Sequence, residues 1–130
     1  MPDLALLPQI FQNYPDILAV YLFGSAATGH IHAESDIDLG IVPRSPTLQN
    51  KKLDLLADLV RHGFDHVDLV ILDPGNIVLQ FEAVHQNRLI YQAEDFEPGS
   101  YFSKVVRQYI DFEPFLRVQR QAQKRRILNG

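Results

Sequence analysis

Ile17-Leu18-Ala19-Val20-Tyr21-Leu22-Phe23-Gly24-Ser25, ten residues, then Asp36-Ile37-Asp38-Leu39-Gly40-Ile41-Val42 is the stretch on which the fold turns. The run from Ile17 to Phe23 is short, continuously apolar and rich in β-branched and aromatic residues. That predicts a buried strand ended by Gly24. Residues 24–29 are small and polar, and read as a turn entering a short helix. From Asp36 onward the pattern has period two. Ile37, Leu39 and Ile41 then face a core, and Asp36 and Asp38 share the open face of a second strand.

Two carboxylates side by side repel unless a cation joins them, and Asp is disfavoured in strands. Converging carboxylates suit Mg²⁺, a hard cation that takes oxygen ligands and keeps substrate phosphates in its shell. Gly24 lets a phosphate approach the backbone closely, and Ser25 adds a hydroxyl and an N–H. A helix starting there would favour an anion. Taken alone, a Gly-Ser pair is more often a strand-ending turn with a polar cap. Asp68 is the one ionisable group within Val67-Asp68-Leu69-Val70-Ile71-Leu72. A lone buried carboxylate is costly unless paired or metal-bound. If this strand adjoins the Asp36–Val42 strand, three carboxylates meet, and two metals about 3.5–4 Å apart could clamp a phosphoryl displacement. The other reading puts Asp68 at the strand's exposed end, in water.

The 130-residue length fits one domain, and 46% hydrophobic with 22% charged residues is ordinary for a globular protein. With no cysteine, disulfides and thiolate metal sites are excluded, and a reducing cytoplasm is the expected compartment. The start, Met1-Pro2-Asp3-Leu4, lacks the pattern of a signal peptide, and no apolar run is long enough to span a bilayer. The net charge of −4 argues against gripping long nucleic acid, whose binding is mostly phosphate neutralisation.

Elsewhere, residues 4–13 carry a helical stripe (Leu4, Leu7, Ile10, Phe11) interrupted by Pro8, which delays or kinks the helix. Ser45-Pro46 reads as N-cap and first residue of a helix to about His62, with Leu53, Leu56, Ala57 and Val60 on one side and Gly63 as its stop. Asp73-Pro74 opens a helix burying Ile77, Phe81 and Val84, and Arg88 to Tyr91 is a short strand. A helix from Ser100 to about Asp111 should break or kink at Pro114. Strands alternating with helices indicate an α/β domain. His30, His32, His62, His66 and His85 form no metal-ligand spacing; His30 and His32 belong to the loop over the expected site. Tyr101, Phe102, Tyr109, Phe112 and Phe115 are core or a partner-binding face. Lys124-Arg125-Arg126 reads as a solvated helix end.

Gly24-Ser25, the ten-residue gap and Asp36-Ile37-Asp38 resemble the GSx₁₀DxD signature of the DNA polymerase β-type nucleotidyltransferase superfamily. The flanking Tyr21-Leu22-Phe23 and Ser35 fit as well. The short chain is similar to the minimal nucleotidyltransferase (MNT) branch, often the antitoxin of a HEPN–MNT toxin–antitoxin pair. The likeness covers residues 3–92 well, and the last third less specifically. It implies a mixed central sheet flanked by helices in one nucleotidyltransferase domain over residues 1–130, with a C-terminal helical extension from about residue 100. It implies that Asp36 and Asp38 hold two Mg²⁺ ions and ATP. Asp68 would complete the metal site and help deprotonate the acceptor hydroxyl, and Gly24 and Ser25 would hold the β- and γ-phosphates. The reaction implied is transfer of AMP to a tyrosine of a HEPN ribonuclease partner, inactivating it, with release of pyrophosphate.

One departure stands inside the motif. Many relatives have an arginine after Gly-Ser, where this chain has Ala26-Ala27-Thr28. Nucleotide affinity then falls unless Thr28, His30 or a distant Lys or Arg compensates. Two other readings therefore stay open: a non-catalytic antitoxin that binds its toxin sterically, and a nucleotidyltransferase with a small-molecule or nucleic acid acceptor.

Overall fold

The structure is a computed structural model that describes residues 3–23 and 37–129. Four strands form one mixed sheet: β1 (Ile17–Phe23), β2 (Ile37–Pro43), β3 (Val67–Ile71) and β4 (Leu89–Gln92), in the order β3-β2-β1-β4. β1 lies antiparallel to both β2 and β4, whereas β2 and β3 run parallel. The expected turn and short helix at residues 24–29 lie outside the described residues.

Each face of the sheet carries its own core. On one side Val20, Leu22, Ile37, Leu39, Ile41, Leu69 and Ile71 meet α1 (Leu7–Phe11) and α2 (Lys52–Arg61) through Phe11, Leu55 and Leu59. On the other, Ala19, Tyr21 and Val42 meet α3 (Ile77–Gln86) and α4 (Pro98–Asn129) through Ala83, Val84 and Val105. The period-two alternation of β2 thus places Ile37, Leu39 and Ile41 in the first core, as the sequence predicts, and leaves Asp38 on the α3–α4 side.

The first helix starts late, as Pro8 suggests, and the other three depart from expectation. Pro8 sits in the first turn of α1, where its missing N–H is harmless, and a 3₁₀ turn (Leu4–Leu6) capped by Asp3 precedes it. Ser45 does cap the next segment, accepting from the Thr47 amide at 3.2 Å, but residues Pro46–Lys51 wind as a 3₁₀ helix before α2 begins. The tighter winding shifts the helix phase. Leu48, Leu55 and Leu59 are buried, with Leu56 partly so, while Leu53 and Val60 face solvent. Gly63 ends α2 at φ 93°: its amide bonds to the Val60 carbonyl and that of Phe64 to the Leu59 carbonyl, a Schellman cap closed by buried Phe64.

Asp73 caps a turn at the Gly75 amide, and α3 starts later, at Ile77. The expected break at Pro114 is absent, since α4 runs unbroken through it. Proline removes one bond, to the carbonyl of Ile110. That residue is well exposed, so water can take the carbonyl instead.

Polar ties join the loops around these layers. The Arg44 guanidinium pairs with both carboxylate oxygens of Asp95 and donates from Nε to the Pro15 carbonyl at 2.9 Å. Tyr14 donates its hydroxyl to Asp58 of α2, and burial followed by that carboxylate pushes the phenol up to about 12.

Candidate active site

The parallel pairing of β2 and β3 sets Asp38 beside Asp68, as Cα partners in register. Adjacent strands lie about 4.8 Å apart, so two carboxylates leave the same face of the sheet at neighbouring positions. On its other side Asp38 is the Cα partner of Phe23, the last residue of β1. The amide of Leu22 donates to the Arg88 carbonyl at 2.8 Å, and that of Ile37 donates to the His66 carbonyl at 2.8 Å. One end of the sheet therefore gathers the exit of β1, the entries of β2 and β3, and the residue before β4.

Asp38 is half-buried and Asp68 exposed. The expectation of a buried Asp68 is corrected here: it is the second residue of β3, at the open end of the sheet, and water reaches it. Its alternative reading was right about exposure, yet the strand does adjoin β2, which is what a shared site requires. Asp36, Gly24 and Ser25 lie outside the described residues, as do His30 and His32. Among the described residues no group of three or more His, Asp or Glu side chains is placed to hold a metal. The described donors are two aspartates abreast, hard oxygen ligands of the kind Mg²⁺ takes.

The same face is closed further along by aromatic packing. Tyr21, the Cα partner of Gly40, stacks with Tyr101 at 6.0 Å between ring centroids. Burial pushes the Tyr21 phenol up to about 12 and raises that of Tyr101 as well. Both stay protonated and sequestered, and neither is suited to accept a transferred group.

Arg88 is the residue that sequence reading missed at this end. Asn87 ends α3 in the left-handed conformation, φ 54°, and turns the chain so that exposed Arg88 stands at the rim beside β1. An Asn-Arg pair between a helical stripe and an apolar strand was the available signal.

The order of elements, the mixed sheet and the acidic pair at its end define a nucleotidyltransferase of the polymerase β type. The sequence profile described as Polymerase beta, Nucleotidyltransferase matches residues 6–96, and the chain belongs to that family. Protein adenylyltransferase MntA of Shewanella oneidensis is 35% identical over 80 residues, which are 61% of this chain and 57% of that protein. The chain thus aligns with little more than half of that relative's length. Among solved structures, a toxin–antitoxin with AMP-PNP superimposes with a TM-score of 0.75 at 23% identity, covering 97% of this chain and 98% of the other. A chain from the complex of tri-AMPylated Shewanella oneidensis HEPN toxin with MNT antitoxin gives 0.67 at 21% identity, covering 96% and 95%. These structures share the fold.

Proposed function

We propose that this chain is an Mg²⁺-dependent adenylyltransferase of the antitoxin type, which transfers AMP from ATP to a tyrosine of a HEPN-type ribonuclease partner. The observation that carries the reading is the register of Asp38 against Asp68 at the sheet end where β1 exits. Gly24-Ser25 follow that exit directly, and Asp36 precedes Asp38 by two residues. The 35% identity to an adenylyltransferase supports the same chemistry.

In this reading Asp36, Asp38 and Asp68 hold the metal ions, and Gly24 and Ser25 hold the β- and γ-phosphates. Bound Mg²⁺ supplies the positive charge that a net acidic chain lacks near a triphosphate. Asp68, exposed at the rim, is reachable by an incoming hydroxyl and accepts its proton. The hydroxyl oxygen bonds to the α-phosphorus, the bond to the bridging oxygen breaks, and pyrophosphate leaves. The protein's part is positioning and electrostatics rather than covalent chemistry. In this reading Arg88, exposed at the same end of the sheet, takes the place of the arginine absent at Ala26-Ala27-Thr28. Residues 1–130 act as one domain with a helical extension from about residue 100, in the cytoplasm.

The test is AMP transfer from ATP to the co-expressed HEPN-type partner, read as intact mass. Parent protein adds whole AMP increments, and Asp38→Ala adds none while keeping its circular dichroism. Equal transfer by that variant would sink the assignment. The missing arginine favours one second reading, a steric antitoxin; it predicts inhibition of the partner with no mass added by the parent.

A further inference from the structure

Helix α4 outruns the body on which it packs. Its inner stripe, Tyr101, Val105 and Tyr109, lies on the α3 side, where Phe81 stacks on Tyr109 with ring centroids 3.9 Å apart. The two helices run antiparallel, since Phe112 shares a cleft with Pro74, Gly75 and Ile77 at the start of α3. Beyond that point α4 continues to Asn129, and residues 113–129 add about 25 Å at 1.5 Å per residue. From Arg117 to Ala122 every side chain is exposed.

This arm is not a polar spacer. Phe115 is 55% exposed and Val118 65%, and the Phe115 and Phe112 ring centroids lie 5.3 Å apart. A helical segment of this length is marginal alone in water, and here it also contains Pro114. Its charge is opposite to that of the body. Residues 113–130 hold five of the twelve basic residues and one of the sixteen acidic ones. Their local net charge is +4, and −8 remains on residues 1–112.

We infer that the α4 arm over residues 113–122 is a docking surface for a protein partner whose apolar groove is rimmed by acidic side chains. The inference rests on the antitoxin reading above, in which the partner is the HEPN-type protein. Two arms pairing with each other would bring together two segments of charge +4, which disfavours an arm-to-arm dimer. RNA would suit the basic residues, but Phe115 and Val118 gain nothing from phosphates, whereas a protein groove desolvates them. The arm leaves the body past the end of β3, near Pro74 and Gly75, at the opposite end of the sheet from Asp38 and Asp68. Retention of the partner and its modification are therefore assigned to different ends of the molecule.

The experiment measures the affinity of the protein for a co-expressed HEPN-type protein, at two salt concentrations. Phe115→Ser/Val118→Ser should weaken the complex about tenfold or more and leave ATP binding unchanged. Arg120→Glu should slow association and flatten its salt dependence. If the parent forms no complex with that protein, the antitoxin reading fails and the arm assignment with it. If the parent binds and the folded arm variants bind equally well, only the arm assignment is overturned. A change confined to self-association in sedimentation, or to retention on RNA, overturns it too.

Discussion

At Asp38 one side chain is fixed from two directions, by Phe23 across an antiparallel pair and by Asp68 across a parallel one. Two carboxylates at neighbouring positions repel unless a cation joins them. Asp38→Ala should leave the melting temperature little changed while AMP transfer falls at least about 10²-fold. A matching loss of stability would place Asp38 in the framework instead. Arg88→Gln should raise the KM for ATP several-fold with kcat little changed, and Arg88→Lys should recover part of it. If both variants keep the parent's KM, Arg88 has no place in phosphate binding. The face on which Asp38 lies was legible because strand periodicity is local, while Asp36 falls outside the described residues. Arg88 was not, because only the pairing of β4 with β1 brings residue 88 beside residue 22.

The elements repeat that lesson. All four strands were legible, β2 by its period-two alternation and the others as short, mostly apolar runs. The buried stripe of α2 was not, because the 3₁₀ turn from Pro46 to Lys51 resets the phase, and no count of apolar spacing anticipates it. Pro114 misled for the opposite reason: the rule that proline ends a helix weakens where the orphaned carbonyl faces water. Pro114→Ala should raise helicity at 222 nm and slow amide exchange around residues 110–118. Global stability should barely move, because the segment packs on little. The clamp between Arg44 and Asp95 carries a pH dependence. Hydrogen bonding from Arg44 lowers the Asp95 carboxyl to about 2, against about 3.9 for an unfolded Asp. A depressed carboxylate pKa contributes stability above the unfolded value and loses it as pH falls through the folded one. Arg44→Ala should therefore lower the urea midpoint at pH 6, and the gap to the parent should narrow between about pH 4 and 2. Part of it should persist, since the bond to the Pro15 carbonyl does not titrate.

On the scale of the molecule, one four-stranded sheet separates two cores, and the acidic pair lies on the side roofed by α3 and α4. The α1–α2 side carries its own core, on the opposite face of the sheet from Asp38 and Asp68. Leu59, fully buried there, should cost about 2–5 kcal/mol on replacement by Ala, and the folded fraction should keep the parent's KM for ATP. A changed KM at low temperature, where the variant is folded, would show that the two layers are coupled. No helix among the described residues is long and apolar enough to cross a membrane.

The side-by-side register of β2 and β3 also constrains how such a protein can evolve. Slipping either strand by one residue sends every side chain to the opposite face. Ile37, Leu39 and Ile41 would leave their core, and Asp38 would enter it. A one-residue insertion or deletion inside β2 thus damages folding and chemistry together, and selection removes it twice over. Under the proposed function, point substitution at Asp38 or Asp68 should damage only the chemistry. Lineages can therefore shed catalysis gradually while keeping the scaffold, and a binding-only descendant lies a single codon away.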